Sequence, residues 1–221
     1  MGGGFTLDIL LFGMIAAFLV LRLRGILGRR TGFERPPQSE RGPVTMPGVA
    51  RPPALIDAVV DAGPQRALPE AGGPVAVTLQ RMNGIDRTFD PAYFLRGAEG
   101  AFRMVVDAYA KGDRVTLRPL LGDETYRSFE QAIAARETAG ETQRSEVRSI
   151  ERASIEAATL EASVARITVR FVSDQVAETL DRDGKPVAGA DAVTELTDAW
   201  MFERDLSQPD PAWRLVAAHS G

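Results

Sequence analysis

The chain has 221 residues, 30 acidic and 26 basic side chains, a formal charge of −4, no cysteine and a single histidine, His219. These numbers exclude disulfides, thiolate metal sites and a thiol nucleophile, and the one imidazole, close to the C-terminus, reads as a strand-end or tail histidine rather than as part of a metal cluster or a Ser-His-Asp triad. The length leaves room for one ordinary domain and a linker, and the charge is unevenly spread: seven arginines against two acids from Arg22 to Pro53, but sixteen Lys and Arg against twenty-three acids from Asp90 to Gly221. A basic stretch followed by an acidic domain suits an anionic lipid surface and argues against a nucleic-acid partner.

The first element is the apolar run Phe5 to Leu21, FTLDILLFGMIAAFLVL, closed by Arg22 and Arg24. As a helix it spans about 26 Å at ~1.5 Å per residue, enough for one bilayer crossing when the flanking arginines snorkel. Asp8 sits near its start, where the interface can solvate it. No basic residue precedes the run and LRLRGILGRR follows it, which is the reverse of a cleavable signal peptide, so residues 1–28 are expected to be a retained anchor. Arg22, Arg24, Arg29 and Arg30 then place the N-terminus outside and the remainder in the cytoplasm, with those four side chains at the membrane surface. Residues 29–88, rich in Pro, Gly and Arg, read as an extended tether. Within it the apolar island that begins at Ala54, with Leu55, Ile56, Val59 and Val60, is expected to form a short transient helix.

A folded domain is expected over 89–221. Asp90 is placed to cap, and Pro91 to start, a helix whose apolar stripe is Phe94, Ala98, Ala101, Phe102, Val105, Val106 and Tyr109, ending at Lys111-Gly112. Gly97 and Gly100 weaken that helix by on the order of 1 kcal/mol each, which points to close approach of another backbone or to room for a ligand. Asp113 opens a short helix through Leu117 and Leu121, and Gly122-Asp123 opens a third with Tyr126, Phe129 and Ile133 that ends by Gly140. The period then becomes two. A strand from Val147 to about Ala158 precedes one with Ala165, Ile167, Val169 and Phe171 on a single face. Asp183-Gly184 marks a hairpin turn, Leu196, Trp200 and Phe202 share the next face, and Trp213, Leu215 and Ala217 the last. The expected fold is α+β, with about three helices covering one face of a curved antiparallel sheet of about four strands.

The segments FDPAYFLRGAEGAFRMVVDAYAKGD, LRPLL, TYRSFEQAI and LTDAWMFERDLSQPDPAWRLVAA, from about Phe89 to Ala218, resemble the Tim44-like domain, named for the matrix-side scaffold of the mitochondrial import motor. Phe94, Ala98, Ala101, Phe102, Gly112-Asp113, Trp200, Phe202, Arg204, Asp205, Trp213 and Leu215 carry the resemblance. It implies a cone similar to nuclear transport factor two with a helix-lined hydrophobic pocket, a membrane-surface location, and scaffolding rather than catalysis. The anchor looks like that of the family's bacterial inner-membrane branch. The pocket would be lined by Phe94, Gly97, Phe102, Tyr109, Trp200 and Phe202. Aromatics at such spacings fill cores more often than they bind ligands, so ordinary core and a mouth for an acyl chain or a partner's apolar side chain both stand.

These readings converge on a membrane-tethered adaptor or scaffold in membrane-protein handling or envelope assembly, with the lipid bilayer and membrane, chaperone or translocase proteins as partners. The alternatives are a module binding lipid or another hydrophobic ligand, and a pocket enzyme of the ketosteroid-isomerase type. For the enzyme, Asp198 would be the base, since it shares strand parity with Leu196 and Trp200, and Tyr109 or Tyr126 would have to converge on it. Arg204-Asp205 reads as a surface charge pair at a strand end. No phosphate loop, metal-ligand spacing or nucleophile elbow is present, so neither a cofactor nor catalysis is expected.

Overall fold

Local chemistry sets where each helix begins and ends. A computed structural model describes residues 63–220. The apolar run Phe5–Leu21, the four flanking arginines and the island beginning at Ala54 lie outside the described residues, among which no helix is long and apolar enough to cross a membrane. Helix α1 is Pro74–Ile85, α2 is Pro91–Lys111, α3 is Arg114–Leu120 and α4 is Asp123–Ala139. The Asp90 carboxylate accepts the Tyr93 N–H at 2.6 Å, and Asp113 accepts the N–H groups of Val115 and Thr116 at 3.1 and 3.0 Å, so both caps expected from sequence are made. Gly112 and Gly140 end α2 and α4 in the left-handed region, at φ 69° and 71°, where a side chain would be strained.

Five strands form one sheet in the order β1 (Gln65–Ala67), β2 (Thr142–Glu161), β3 (Val164–Leu180), β4 (Pro186–Asp205) and β5 (Arg214–Ser220). β2 to β5 are antiparallel neighbours, and β1 runs parallel to β2 at residues 152–154. Ala165, Ile167, Val169 and Phe171 are fully buried on one face of β3, as the alternation requires. At the hairpin tip Asp181 accepts the Lys185 N–H at 2.9 Å through its side chain, and Gly184 takes φ 77°.

The structure departs from the sequence reading before Phe89. Residues assigned there to the tether instead belong to the folded unit: Leu79 and Met82 of α1 are buried in the core, and β1 extends the sheet. Arg66 locks β1 down with two 2.8 Å hydrogen bonds to Glu99, a side chain only 9% exposed. At the far end of α1, Asp86 Oδ2 lies 2.9 Å from Arg204 Nη1, a charge contact rather than an aligned hydrogen bond, while Arg204 Nε donates to the Asp210 carbonyl at 3.0 Å. Arg204 therefore ties α1 to the end of β4. Its neighbour Asp205 does something else, accepting from the Ser207 N–H and hydroxyl at 3.0 and 2.8 Å to hold the β4–β5 turn. They do not form a pair with each other.

Several carboxylates are stabilised in their charged form by such bonds. The Ser163 hydroxyl, with Ser207, holds Asp205 down at about 2; Thr88 lowers Asp86, Thr116 lowers Asp113, Arg118 lowers Asp123 and Arg114 lowers Glu137. All five are depressed below unfolded values of about 3.9 for Asp and 4.3 for Glu, so their contribution is complete above that range and is lost as pH falls through the folded values. The thermal midpoint should hold between about pH 7 and 5 and fall from about pH 4 towards 2. Scanning calorimetry across that range tests this, and a midpoint unchanged at pH 2 would contradict it.

Candidate functional site

The inner face of β3 changes character partway along. Ala165, Ile167, Val169 and Phe171 are followed at the same parity by Ser173 and Gln175, both buried, so the concave side of the sheet is apolar at one end and polar towards the β3–β4 hairpin. Over this transition the C-terminal half of α2 and one face of α4 stand off from the sheet and enclose a cavity of about 480 Å³. That lies within the roughly 300–1,000 Å³ typical of small-molecule sites.

Aromatic and aliphatic side chains make most of the wall. Phe102 of α2 stacks on Phe171 with centroids 4.5 Å apart and lies 4.6 Å from Trp200, while Tyr109 meets Phe129 of α4 edge-on at 4.9 Å. Val105, Val106 and Leu196 complete the apolar part. Part of the polar wall is a hydrogen-bonded cluster backed by Ser173: Gln175 Nε2 donates to Ser173 Oγ at 3.0 Å and to Asp198 Oδ2 at 3.1 Å, and the Ser220 hydroxyl donates to Asp198 Oδ1. Asp198, 6% exposed, thus points inward as its parity predicts. Burial pushes the Tyr109 phenol up, opposed by the positive charge of Arg136, whose guanidinium lies 5.2 Å over the ring. Arg136 itself donates to the Tyr109 and Ala110 carbonyls at 2.8 and 3.1 Å and to the Gln143 side chain. It closes the C-terminus of α2 and does not line the cavity.

Of the residues the sequence nominates, Phe102, Tyr109 and Trp200 line the cavity. Phe94 and Phe202 lie at the closed, narrow end, 5.9 Å apart, where Phe94 also meets Trp213 at 4.8 Å. Gly97 is not a lining residue. It and Gly100 are on the exposed face of α2, with no atom within 4 Å of where a β-carbon would sit, because they fall on the same helical face as Tyr93 and Met104, opposite Phe94, Ala98, Phe102 and Val105. Neither a neighbouring backbone nor a ligand explains them. Tyr126 lies under the Arg118 guanidinium at 4.9 Å and outside the cavity, so of the two tyrosines only Tyr109 shares the site with Asp198. Ser173, Gln175 and Ser220 escaped the sequence reading, although polar residues at the parity of a buried strand face were the available signal. Among the described residues no group of His, Cys, Asp and Glu is placed to hold a metal ion.

Comparison with curated protein sequences finds no match. Among solved structures, the intermembrane-space region of the chloroplast protein ARC6 aligns at 13% identity and a TM-score of 0.41, over 57% of this chain and 95% of that one. A conserved protein from Planctomyces limnophilus aligns at 16% and 0.34 over 55% and 90%, and an NTF2-like family protein from Streptomyces avermitilis at 16% and 0.34 over 59% and 96%. The Tim44-like domain matches residues 75–220, about two thirds of the chain. With a match that runs from α1 to β5, the chain belongs to the Tim44-like domain family.

Proposed function

We propose that this protein is a membrane-tethered adaptor: an N-terminal helix anchors it in the bacterial inner membrane, and the α+β domain works on the cytoplasmic side in membrane-protein handling or envelope assembly. Membership of the Tim44-like family supports a scaffold in general terms. The observation that carries the reading is a sizeable, largely apolar-walled cavity in a domain joined to a membrane-length apolar run with arginines on one flank. The run supplies the address and the cavity a grip on an apolar group. Tethering raises the local concentration of the domain at the membrane, so weak contacts suffice for a scaffold. The carboxylate of Asp198 is engaged by Gln175 and Ser220, a placement that serves recognition as readily as proton transfer, and we assign no catalytic step to it.

Purification of the full-length protein in mild detergent, followed by mass spectrometry of what accompanies it, tests the adaptor. Chaperone, translocase or envelope proteins should co-purify, and deletion of residues 1–21 should abolish membrane localisation without unfolding the domain. Recovery of lipid with no protein partner would replace the adaptor by a lipid-binding module. A truncated chain that stays on the membrane would shift the targeting to the arginine-rich segment or to the domain.

A further inference from the structure

The cavity has a sign. Three carboxylates line it, Glu124, Glu178 and Asp198, together with His219, and no lysine or arginine does. Arg136, whose guanidinium lies over the Tyr109 ring, is engaged by the last carbonyls of α2 and by Gln143. An anionic head group brought to Asp198 would meet like charge inside a partly dehydrated space, with no lysine or arginine among the lining residues to receive it. A cation, or a neutral group that donates hydrogen bonds, meets acceptors instead: the carboxylate of Asp198 and the hydroxyl of Ser220.

The shape of the occupant follows from where the polar groups are. Asp198, Gln175 and Ser220 are joined by hydrogen bonds and α4, β2 and β3 add further polar side chains, while Phe102, Val105, Tyr109, Phe129, Leu196 and Trp200 supply most of the apolar surface. An apolar chain with one polar head placed on Asp198 meets both kinds of wall.

Building on the reading of the cavity as the domain's grip, we infer that it binds an amphiphile with one alkyl or acyl chain and a cationic or hydrogen-bond-donating head, and that it rejects anionic amphiphiles of the same chain length. The head lies against Asp198 and the chain runs past Trp200 beneath Phe102. Trp200 lines the cavity and the other tryptophan, Trp213, packs at the closed end against Phe89 and Phe94, so quenching of Trp200 reports occupancy.

The test uses the full chain in nanodiscs of zwitterionic phosphatidylcholine, titrated with chain-brominated dodecylammonium, dodecanol and dodecanoate. A Trp200→Phe variant gives the background from Trp213 and from partition into the bilayer. Dodecylammonium should quench Trp200 at a concentration about tenfold or more below dodecanoate, with dodecanol between them. Asp198→Asn should shrink that ratio severalfold, and Glu178→Gln, on a more open part of the rim, should shrink it less. Equal or tighter binding of dodecanoate, or a ratio unmoved by both variants, overturns the inference while leaving the cavity a binding site. No quenching by any of the three overturns the inference and the grip together. Failure to recover protein partners in the co-purification removes the adaptor and leaves the head-group preference standing.

Discussion

Replacing Phe102 with alanine should cost the domain about 3–5 kcal/mol, the range for deleting a fully buried phenylalanine. The side chain has no solvent exposure, stacks on Phe171 at 4.5 Å and lies 4.6 Å from Trp200, so truncation removes an aromatic cluster along with its apolar area. The loss should fall high in that range, because Phe102 also forms the cavity wall. Neighbours that already border the cavity of about 480 Å³ cannot close over the new void from that side. Domains of this size are stable by roughly 5–15 kcal/mol, so the variant should be marginal at body temperature. Urea denaturation followed by circular dichroism measures the difference. A loss under about 1 kcal/mol would mean that Phe102 is not the keystone its packing indicates, and Phe102→Leu, which keeps most of the volume, should recover more than half of the stability.

Three helices and the sheet's long strands were legible because their signals are local. Asp90 with Pro91, Asp113, and the glycines at 112 and 140 act on the hydrogen bonds of their own helix ends, and the period-two run from Ala165 to Phe171 is set by burial of one face. Strand β1 was not legible, and helix α1 was legible only in part, from Pro74 at its start and Val75, Leu79 and Met82 at helical spacing. Their order comes from contacts distant in sequence: Arg66 with Glu99, Asp86 with Arg204, and the burial of Leu79 and Met82 under the sheet. Four prolines and glycines from Pro69 to Pro74 outweigh the short apolar stripe in a local reading, since nothing in residues 63–88 alone shows which partners exist. The two glycines in α2 misled for a related reason. A glycine on a helix marks a missing side chain, and sequence does not say whether the gap faces a neighbour or water; here both face water.

The site divides along the same line. Phe102, Tyr109 and Trp200 are found by periodicity, and so is the inward direction of Asp198. What periodicity cannot supply is depth. Phe94 and Phe202 share the stripes of the lining residues but lie at the closed end, because α2 sits against the sheet near its N-terminus and leaves space only near its C-terminus. Ser173 and Gln175 stand where the core pattern of β3 would have placed hydrophobes. Burying two polar side chains is tolerated only with partners, and here the partner is the Asp198 cluster that gives the cavity its acidic end.

Gly189→Ala should open the mouth of the cavity without unfolding the domain. Gly189 lies on β4 opposite Glu178 at φ 74°, and a β-carbon there would fall 2.0 Å from the Ala177 carbonyl oxygen and 2.9 Å from its carbon. The backbone conformation alone costs an L-residue roughly 1–3 kcal/mol, and the overlap is with main chain, which no rotamer change can relieve. β4 must therefore move away from β3 between Ala177 and Ala190, the part of the hairpin beyond the irregularity that follows Gln175. Ala177, Ala188 and Gly189 all line the cavity, so the displacement should weaken quenching of Trp200 by dodecylammonium about tenfold or more. The apolar half of the sheet from Ala165 to Phe171 lies away from this end, so hydrogen exchange should speed up at residues 177–190 and stay slow in β3 before Ser173. Gly97→Ala is the matched control: its β-carbon enters open space on an exposed helix face, and it should stabilise the domain by up to about 1 kcal/mol with no change in ligand affinity. If Gly189→Ala bound and exchanged like the parent, the left-handed residue at the β3–β4 hairpin would have no part in shaping the cavity.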